Sequence, residues 1–233
     1  VDVAIAYPNT WSAAEINAFV GELALAAARL SLILQNSNAG WLSFPRLGMY
    51  SYVPNGTLSP FTLEQVNNLR QQSGADRIVA VVDDYPYGGS AMLCGPYAVV
   101  KRAALNEAYA HELFHTICLD HNPETAVTPP TGFEHNRAMY VCPEDGGDGF
   151  ATFMTTSSPC GWYNTNSLTG PGIFYNGVEL VGEEQQATLV LQDAAPLAAA
   201  EMTAPLGPCV PDNTTLCLDG VRNSGDGRFE VRV

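Results

Sequence analysis

The amino-acid sequence predicts a layered α/β (α+β) domain, and three observations carry that prediction. Two short apolar runs, Val1 to Tyr7 and Ala75 to Val82, read as buried strands, the second with an unbroken Ile78-Val79-Ala80-Val81-Val82 centre. Three longer stretches, near residues 12–34, 62–72 and 103–117, read as helices. These strand and helix patterns alternate along the first half of the chain, which is the order of an α/β layer.

Taken in order, Pro8 and Asn9 break the first strand, and Thr10 or Ser12 can cap a helix running to about Leu34. Its apolar positions Ile16, Phe19, Val20, Leu23, Leu25, Leu30 and Leu34 follow helical spacing. Asn36 to Gly40 ends it, Trp41 to Tyr52 reads as extended, and Pro54-Asn55-Gly56 marks a turn. A second helix is expected from Thr62 to Gln72, followed by the strand to Val82. Tyr87-Gly88-Gly89-Ser90 leads into Ala91-Met92-Leu93-Cys94-Gly95, read as a short strand. A third helix is expected from Ala103 to Ile117, where Ala103, Ala104, Ala108 and Ala110 favour helix and close packing.

After His121 the character changes. Pro123, Pro129, Pro130, Gly132, Pro143, Gly146, Gly147 and Gly149 leave little regular structure. The stretch after Gly182 can form a last helix on Ala187, Val190, Leu191 and Ala194, which Pro196 should kink or end. Thr188 to Leu191 fits a short strand equally well. Pro205, Gly207, Pro208 and Pro211 mark a linker, and Thr214 to Leu218 with Gly227 to Val233 alternate like a two-stranded hairpin. The division is therefore a main domain over 1–204 and a tail over 205–233, the tail being the possible start of a further small β domain.

The composition bounds the function classes. A chain of 233 residues suits one domain, and 46% hydrophobic residues suffice for a core. Ten basic against twenty-four acidic residues give a net charge of -14, which disfavours nucleic acid and anionic membranes as partners. The most apolar region, Phe19 to Leu34, is broken by Glu22 and Arg29, so no membrane insertion is expected. Asn55-Gly56-Thr57 and Asn213-Thr214-Thr215 fit the glycosylation sequon.

Three of the chain's four histidines lie between positions 111 and 121, in His111-Glu112-Leu113-Phe114-His115-Thr116-Ile117-Cys118-Leu119-Asp120-His121. On a helix, His111 and His115 share one face, where two imidazoles can grip one zinc ion. A catalytic zinc takes three protein ligands and leaves one position open. His121 supplies the third if the helix stops and the chain turns back. Glu112 can then act as general base on the water. A bare HExxH occurs by chance, with its histidines capping a helix or pairing with carboxylates, but the third histidine at this spacing argues for the metal.

The segment resembles the signature HExxHxxGxxH of the metzincin zinc endopeptidases, closest to the reprolysin-like (adamalysin-type) and related bacterial secreted members. The motif resemblance covers mainly His111 to Met154; outside it only element order matches. Met154, in Ala151-Thr152-Phe153-Met154-Thr155-Thr156-Ser157, matches the methionine turn that packs beneath the three histidines without binding metal. The resemblance implies a twisted, mostly parallel sheet with long helices in an upper half (1–121). It also implies an irregular lower half (122–204) with the Met-turn and a C-terminal helix. In that family the edge strand before the metal helix holds the substrate by backbone pairing, and Leu93, Cys94 and Gly95 sit at the matching place.

Two departures stand out. The signature's glycine, which lets the chain turn sharply with positive φ, is Cys118 here. Thr156 stands where many metzincins have a tyrosine, so a phenol assisting the oxyanion would come from elsewhere, and Tyr163 is the near candidate. The six cysteines form an even set without a CxxC pair, which fits a secreted, disulfide-bonded chain. Fifteen pairings are possible. Cys142–Cys160 would clamp the loop bearing Met154 and Cys209–Cys217 would close a tail loop. Cys94–Cys118, the pair then left, would anchor the turn that lacks its glycine.

The expectation is a secreted zinc endopeptidase: His111, His115 and His121 bind one Zn2+, and Glu112 is the base for a zinc-activated water. Protein or peptide substrates are expected, with a monomeric chain matured from a propeptide; the start at Val1 without an initiator methionine fits such processing. Calcium could be held by Glu144-Asp145-Gly146-Gly147-Asp148, which lacks the EF-hand pattern and reads as well as a solvated loop. Some bacterial relatives prefer acidic side chains. Arg137, the only Lys or Arg between His121 and Arg222, would be the basic pocket residue required. Two alternatives stay open: a zinc-stabilised binding or toxin-like module with little turnover, and a hydrolase whose last ligand is Glu134 or Glu144.

Overall fold

The computed structural model describes residues 1–42, 44, 47–53, 63–125, 131–144, 149–156, 158–160, 162–201, 215–218, 222–223 and 229–230. The turn at 54–56, the sequon at 55–57, the acidic loop from 145, the linker at 205–211, the sequon at 213–215 and the Cys209–Cys217 pairing lie wholly or partly outside them.

Strand β1 (Val3–Pro8) leads to helix α1 (Ala13–Asn36). Ser12 is its cap: the Ser12 hydroxyl accepts from the Glu15 N–H at 3.3 Å while the Glu15 carboxylate accepts from the Ser12 N–H at 2.7 Å. Then follow β2 (Leu47–Tyr52), α2 (Leu63–Ser73), β3 (Arg77–Val82), β4 (Gly89–Ala91) and β5 (Tyr97–Lys101). A 3-10 turn at Arg102–Ala104 opens into α3 (Leu105–Thr116). The fold is a mixed α/β one around a mostly parallel sheet, with β2, β1, β3 and β5 parallel in that order and β4 antiparallel at the edge beside β5.

The alternation of a strand puts odd and even residues on opposite faces. Val3, Ile5, Tyr7, Val79 and Val81 join one core with α1 and α3, whereas Ala4, Ala6, Ile78, Ala80 and Val82 join a second with Val66 and Leu69 of α2. Helix α1 is long and apolar enough to cross a membrane by length and composition. In this fold its Phe19, Leu23, Ala26, Leu30 and Ile33 pack into the first core. Leu25, counted with the apolar face from spacing, is instead exposed, because that position falls on the outer side of the helix.

The sequence reading of Ala91 to Gly95 as a strand is corrected. The edge strand ends at Ala91, and 92–95 form a turn in which the Gly95 N–H donates to the Met92 carbonyl at 2.9 Å and Cys94 has φ +55°. Pairing resumes at Tyr97, and β5, which the reading passed over, is buried between β3 and β4.

The second half has short strands: β6 (Tyr140–Val141), β7 (Gly149–Ala151) and β8 (Trp162–Asn164) in one small sheet, and the hairpin β9 (Phe174–Tyr175) with β10 (Val178–Glu179). Asn176 and Gly177, at φ +48° and +80°, make that hairpin turn, an Asn-Gly signal the sequence reading overlooked. Helix α4 (Ala187–Ala200) settles the helix-or-strand choice for 188–191. Pro196 lies inside this helix and does not end it. Gln192 and Pro196 both face solvent, so water can serve the Gln192 carbonyl that loses its donor. The tail is corrected too. Strand β11 (Thr215–Leu218) pairs antiparallel with β2, and β12 (Arg222–Asn223) pairs with β13 (Phe229–Glu230), instead of one hairpin joining 214–218 to 227–233.

Packing separates two leucines of α1. Leu23→Ala is expected to destabilise the fold by about 2–5 kcal/mol and Leu25→Ala by less than about 0.5 kcal/mol, read from urea unfolding midpoints.

Candidate metal centre

Helix α3 places His111 and His115 one turn apart, with ring centroids 4.8 Å from each other. The chain then leaves the helix through a turn at Ile117, Cys118 and Leu119. The Leu119 N–H donates to the Phe114 carbonyl and the Cys118 N–H to the His115 carbonyl, both at 3.0 Å, and Cys118 takes φ +74°. This is the Schellman arrangement, with Leu119 and Phe114 buried together behind it. It sends the chain back so that the His121 Nε2 lies 3.0 Å from the Nε2 atoms of both His111 and His115, which are 3.2 Å apart.

The chemistry of these nitrogens points to a cation. His115 Nδ1 donates to the Leu119 carbonyl at 2.7 Å, and the Phe153 and Thr125 backbones hydrogen-bond to His111 and His121. With the outer ring nitrogens holding the protons, three Nε2 lone pairs face one another with no donor between them. Around a zinc ion at ~2.0–2.1 Å, tetrahedral ligand atoms stand roughly 3.3 Å apart, close to the triangle found here. The triad could hold a metal ion and is compatible with zinc. Burial, the neighbouring imidazoles reinforcing it, holds His111 well below the ordinary histidine value. Burial lowers His121 too and, with the nearby His121, takes His115 down to about 4. All three are therefore neutral at neutral pH, the form that binds metal.

Glu112 follows the first histidine and is 6% exposed; burial pushes its carboxyl up to about 8. It packs against Gly89 of β4. A Cβ at position 89 would lie 2.5 Å from Glu112 Cγ, 2.8 Å from its Oε1 and 2.8 Å from the Val99 carbonyl oxygen. Gly89 is thus a site residue that the sequence reading did not single out; its signal was a Gly-Gly pair, which reads first as a turn.

The segment around Met154 forms a tight turn, the Thr155 N–H donating to the Thr152 carbonyl at 3.0 Å. Met154 is buried in the same core as Phe114, and the Phe153 ring lies 6.1 Å from the His111 and Phe114 rings, with the Arg29 guanidinium over it, 5.5 Å from its centroid. The turn is tied to the His121 loop. Asn122 Oδ1 accepts from the Thr156 N–H at 3.2 Å and from the Thr125 hydroxyl at 3.3 Å, and the Thr125 and Thr156 hydroxyls are 3.0 Å apart. Asn122, absent from the residues expected, joins the two segments.

The remaining expected residues fall elsewhere. Leu93, Cys94 and Gly95 are in the turn between β4 and β5, where the Cys94 N–H donates to the His115 carbonyl at 2.9 Å. Tyr163, on β8 opposite Phe150, is 64% exposed. Glu134 is exposed and accepts from the Gly132 N–H at 2.9 and 3.0 Å; among the described residues the clustered ligand group is the three histidines. Arg137 donates to the buried Asp120 carboxylate at 2.9 Å, so its charge is committed next to His121. The disulfides Cys94–Cys118 and Cys142–Cys160 are formed as expected.

Compared with known protein families and with curated proteins, the chain matches no family model and none of the curated proteins.

Zinc affinity is expected to fall by more than about 100-fold in His121→Ala and to stay within about threefold in Glu134→Ala, measured by dialysis against a chelator-buffered zinc series.

Proposed function

We propose that this chain is a zinc-dependent endopeptidase of the metzincin type, with its catalytic domain over 1–204. The observation that carries the reading is one geometry: three converging Nε2 atoms with the buried Glu112 carboxyl next to the first of them on the same helix. Two disulfides fit an oxidising compartment and support secretion.

Zinc held by His111, His115 and His121 would polarise the scissile carbonyl and acidify the attacking water. Glu112 takes the proton of that water on its carboxylate and delivers it to the leaving amine. Its burial favours the protonated form and a cation held by the triad would favour the ionised one, so the group can serve in both directions near neutral pH. The outer side of β4 is the end of the sheet order, and an extended peptide pairing there lies over Glu112. That moves the substrate-binding backbone from Leu93, Cys94 and Gly95 to Gly89–Ala91. Met154, buried in the core one residue after the Phe153 that faces His111, acts through packing only. With Arg137 engaged by Asp120, no preference for acidic side chains is assigned to it.

A second reading is a zinc-stabilised binding module with little turnover. Thr156 favours it, since its hydroxyl is used to tie the His121 loop where many metzincins have a phenol.

Cleavage of casein separates the two. The zinc-loaded protein should cut it, a chelator should stop it, and Glu112→Gln should keep zinc while losing about 10²–10⁴ in rate. Near wild-type cleavage by Glu112→Gln would sink the mechanism, and no cleavage by folded, zinc-loaded protein would favour the binding module. Gly89→Ala should lower kcat/KM at full zinc content, because the added methyl displaces the Glu112 side chain.

A further inference from the structure

We propose that the Cys94–Cys118 disulfide does the work of the missing glycine: it holds the left-handed turn that delivers His121, making Cys94 and Cys118 positioning residues for the metal. This rests on the reading of the three histidines as a metal site.

Cys118 occupies the position just beyond the end of α3 where the chain must reverse, and its φ of +74° is one that L residues seldom adopt and glycine adopts freely. The end of α1 has the same form with Asn38 at φ +52°, the Ala39 N–H donating to the Leu34 carbonyl at 2.8 Å. Asn tolerates this region through its short polar side chain. Cysteine has no such help, and at α3 the help comes from a covalent bond.

The bond is placed to act on the ligands. The His115 carbonyl accepts two N–H groups, from Cys118 at 3.0 Å and from Cys94 at 2.9 Å, so both halves of the crosslink hang on the backbone of one metal ligand. Within the same turn the Leu119 carbonyl takes the His115 Nδ1 proton at 2.7 Å, which sets the orientation of that imidazole. The Cys118 carbonyl is fixed in turn by the Asn136 side-chain amide at 2.7 Å. A turn that relaxed out of the left-handed form would displace His121 and release the acceptor that orients His115. A crosslink serving only to stabilise the fold would lower Tm when removed and leave metal affinity alone.

The test compares Cys94→Ala/Cys118→Ala with Cys94→Ala/Cys118→Gly and Cys94→Ala/Cys118→Asn, reading zinc Kd by competition with a chromophoric chelator and the visible spectrum after cobalt loading. The alanine double variant should bind zinc about 10- to 100-fold more weakly than the wild type, with an altered cobalt spectrum. The glycine double variant should return to within about threefold of wild type with the wild-type spectrum, and the asparagine one should fall between, although all three lose the crosslink. Wild-type affinity in the alanine double variant would overturn the proposal. So would a glycine double variant as weak as the alanine one. A wild-type protein that takes no zinc at all would overturn the metal-site reading itself, and this proposal with it.

Discussion

Three unprotonated imidazole nitrogens about 3 Å apart have no reason to stay together without a cation, and the backbone around them is arranged to keep them there. Each outer ring nitrogen is spoken for by a main-chain group, at Phe153, Leu119 or Thr125. These partners come from three segments: the turn carrying Met154, the reversal after α3, and the loop after His121. Much of the second half of the molecule can be understood as holding those carbonyls in place.

The first half supplies rigidity. Helix α3 lies against the sheet with Tyr109, Leu113 and Phe114 fully in the core, so the histidine face cannot rotate without opening that core. Its C-terminal end is secured from the far side by Arg77, whose buried guanidinium donates to the Thr116 carbonyl at 3.2 Å and pairs with Glu201 just beyond α4. A cation at the last carbonyls of a helix is electrostatically favourable, and here it also links α4 to α3, the helix that carries His111 and His115. Burying Arg77 is tolerated because its donors meet the Asp76 and Thr116 carbonyls and the Glu201 carboxylate.

Glu112 shows how the same packing tunes chemistry. Its carboxyl is pushed up by desolvation, and that desolvation exists because β4 covers it through Gly89, a residue with no side chain to keep it away. On the other flank, Asp120 uses one oxygen for the His121 N–H at 2.7 Å and the other for Arg137, so the loop delivering the third histidine ends on a neutralised pair. A buried charge without its partner would be expensive at that position.

What was legible in the sequence is what local geometry fixes. The i, i+4 spacing of His111 and His115, a helix cap at Thr10 or Ser12, which the structure assigns to Ser12, and the apolar centre of β3 each depend on neighbours a few residues away. Of the fifteen pairings open to six cysteines, the expected Cys142–Cys160 and Cys94–Cys118 are formed. Whether Pro196 would end the last helix was not legible, because burial, unseen in sequence, decides whether a lost helix bond matters; here the helix continues past it. The edge strand was placed two to four residues too late because the turn at Cys94 is made by a partner 24 positions away in the chain. By itself the sequence determined the candidate ligands and the helix that presents two of them, since those depend on periodicity and on side-chain chemistry. Only the tertiary structure decided that Gly89 covers Glu112, that Asn122 ties the His121 loop to the Met154 turn, and that Arg137 belongs to Asp120. Each of those depends on segments distant in the chain meeting across the core, and spacing carries no information about such meetings.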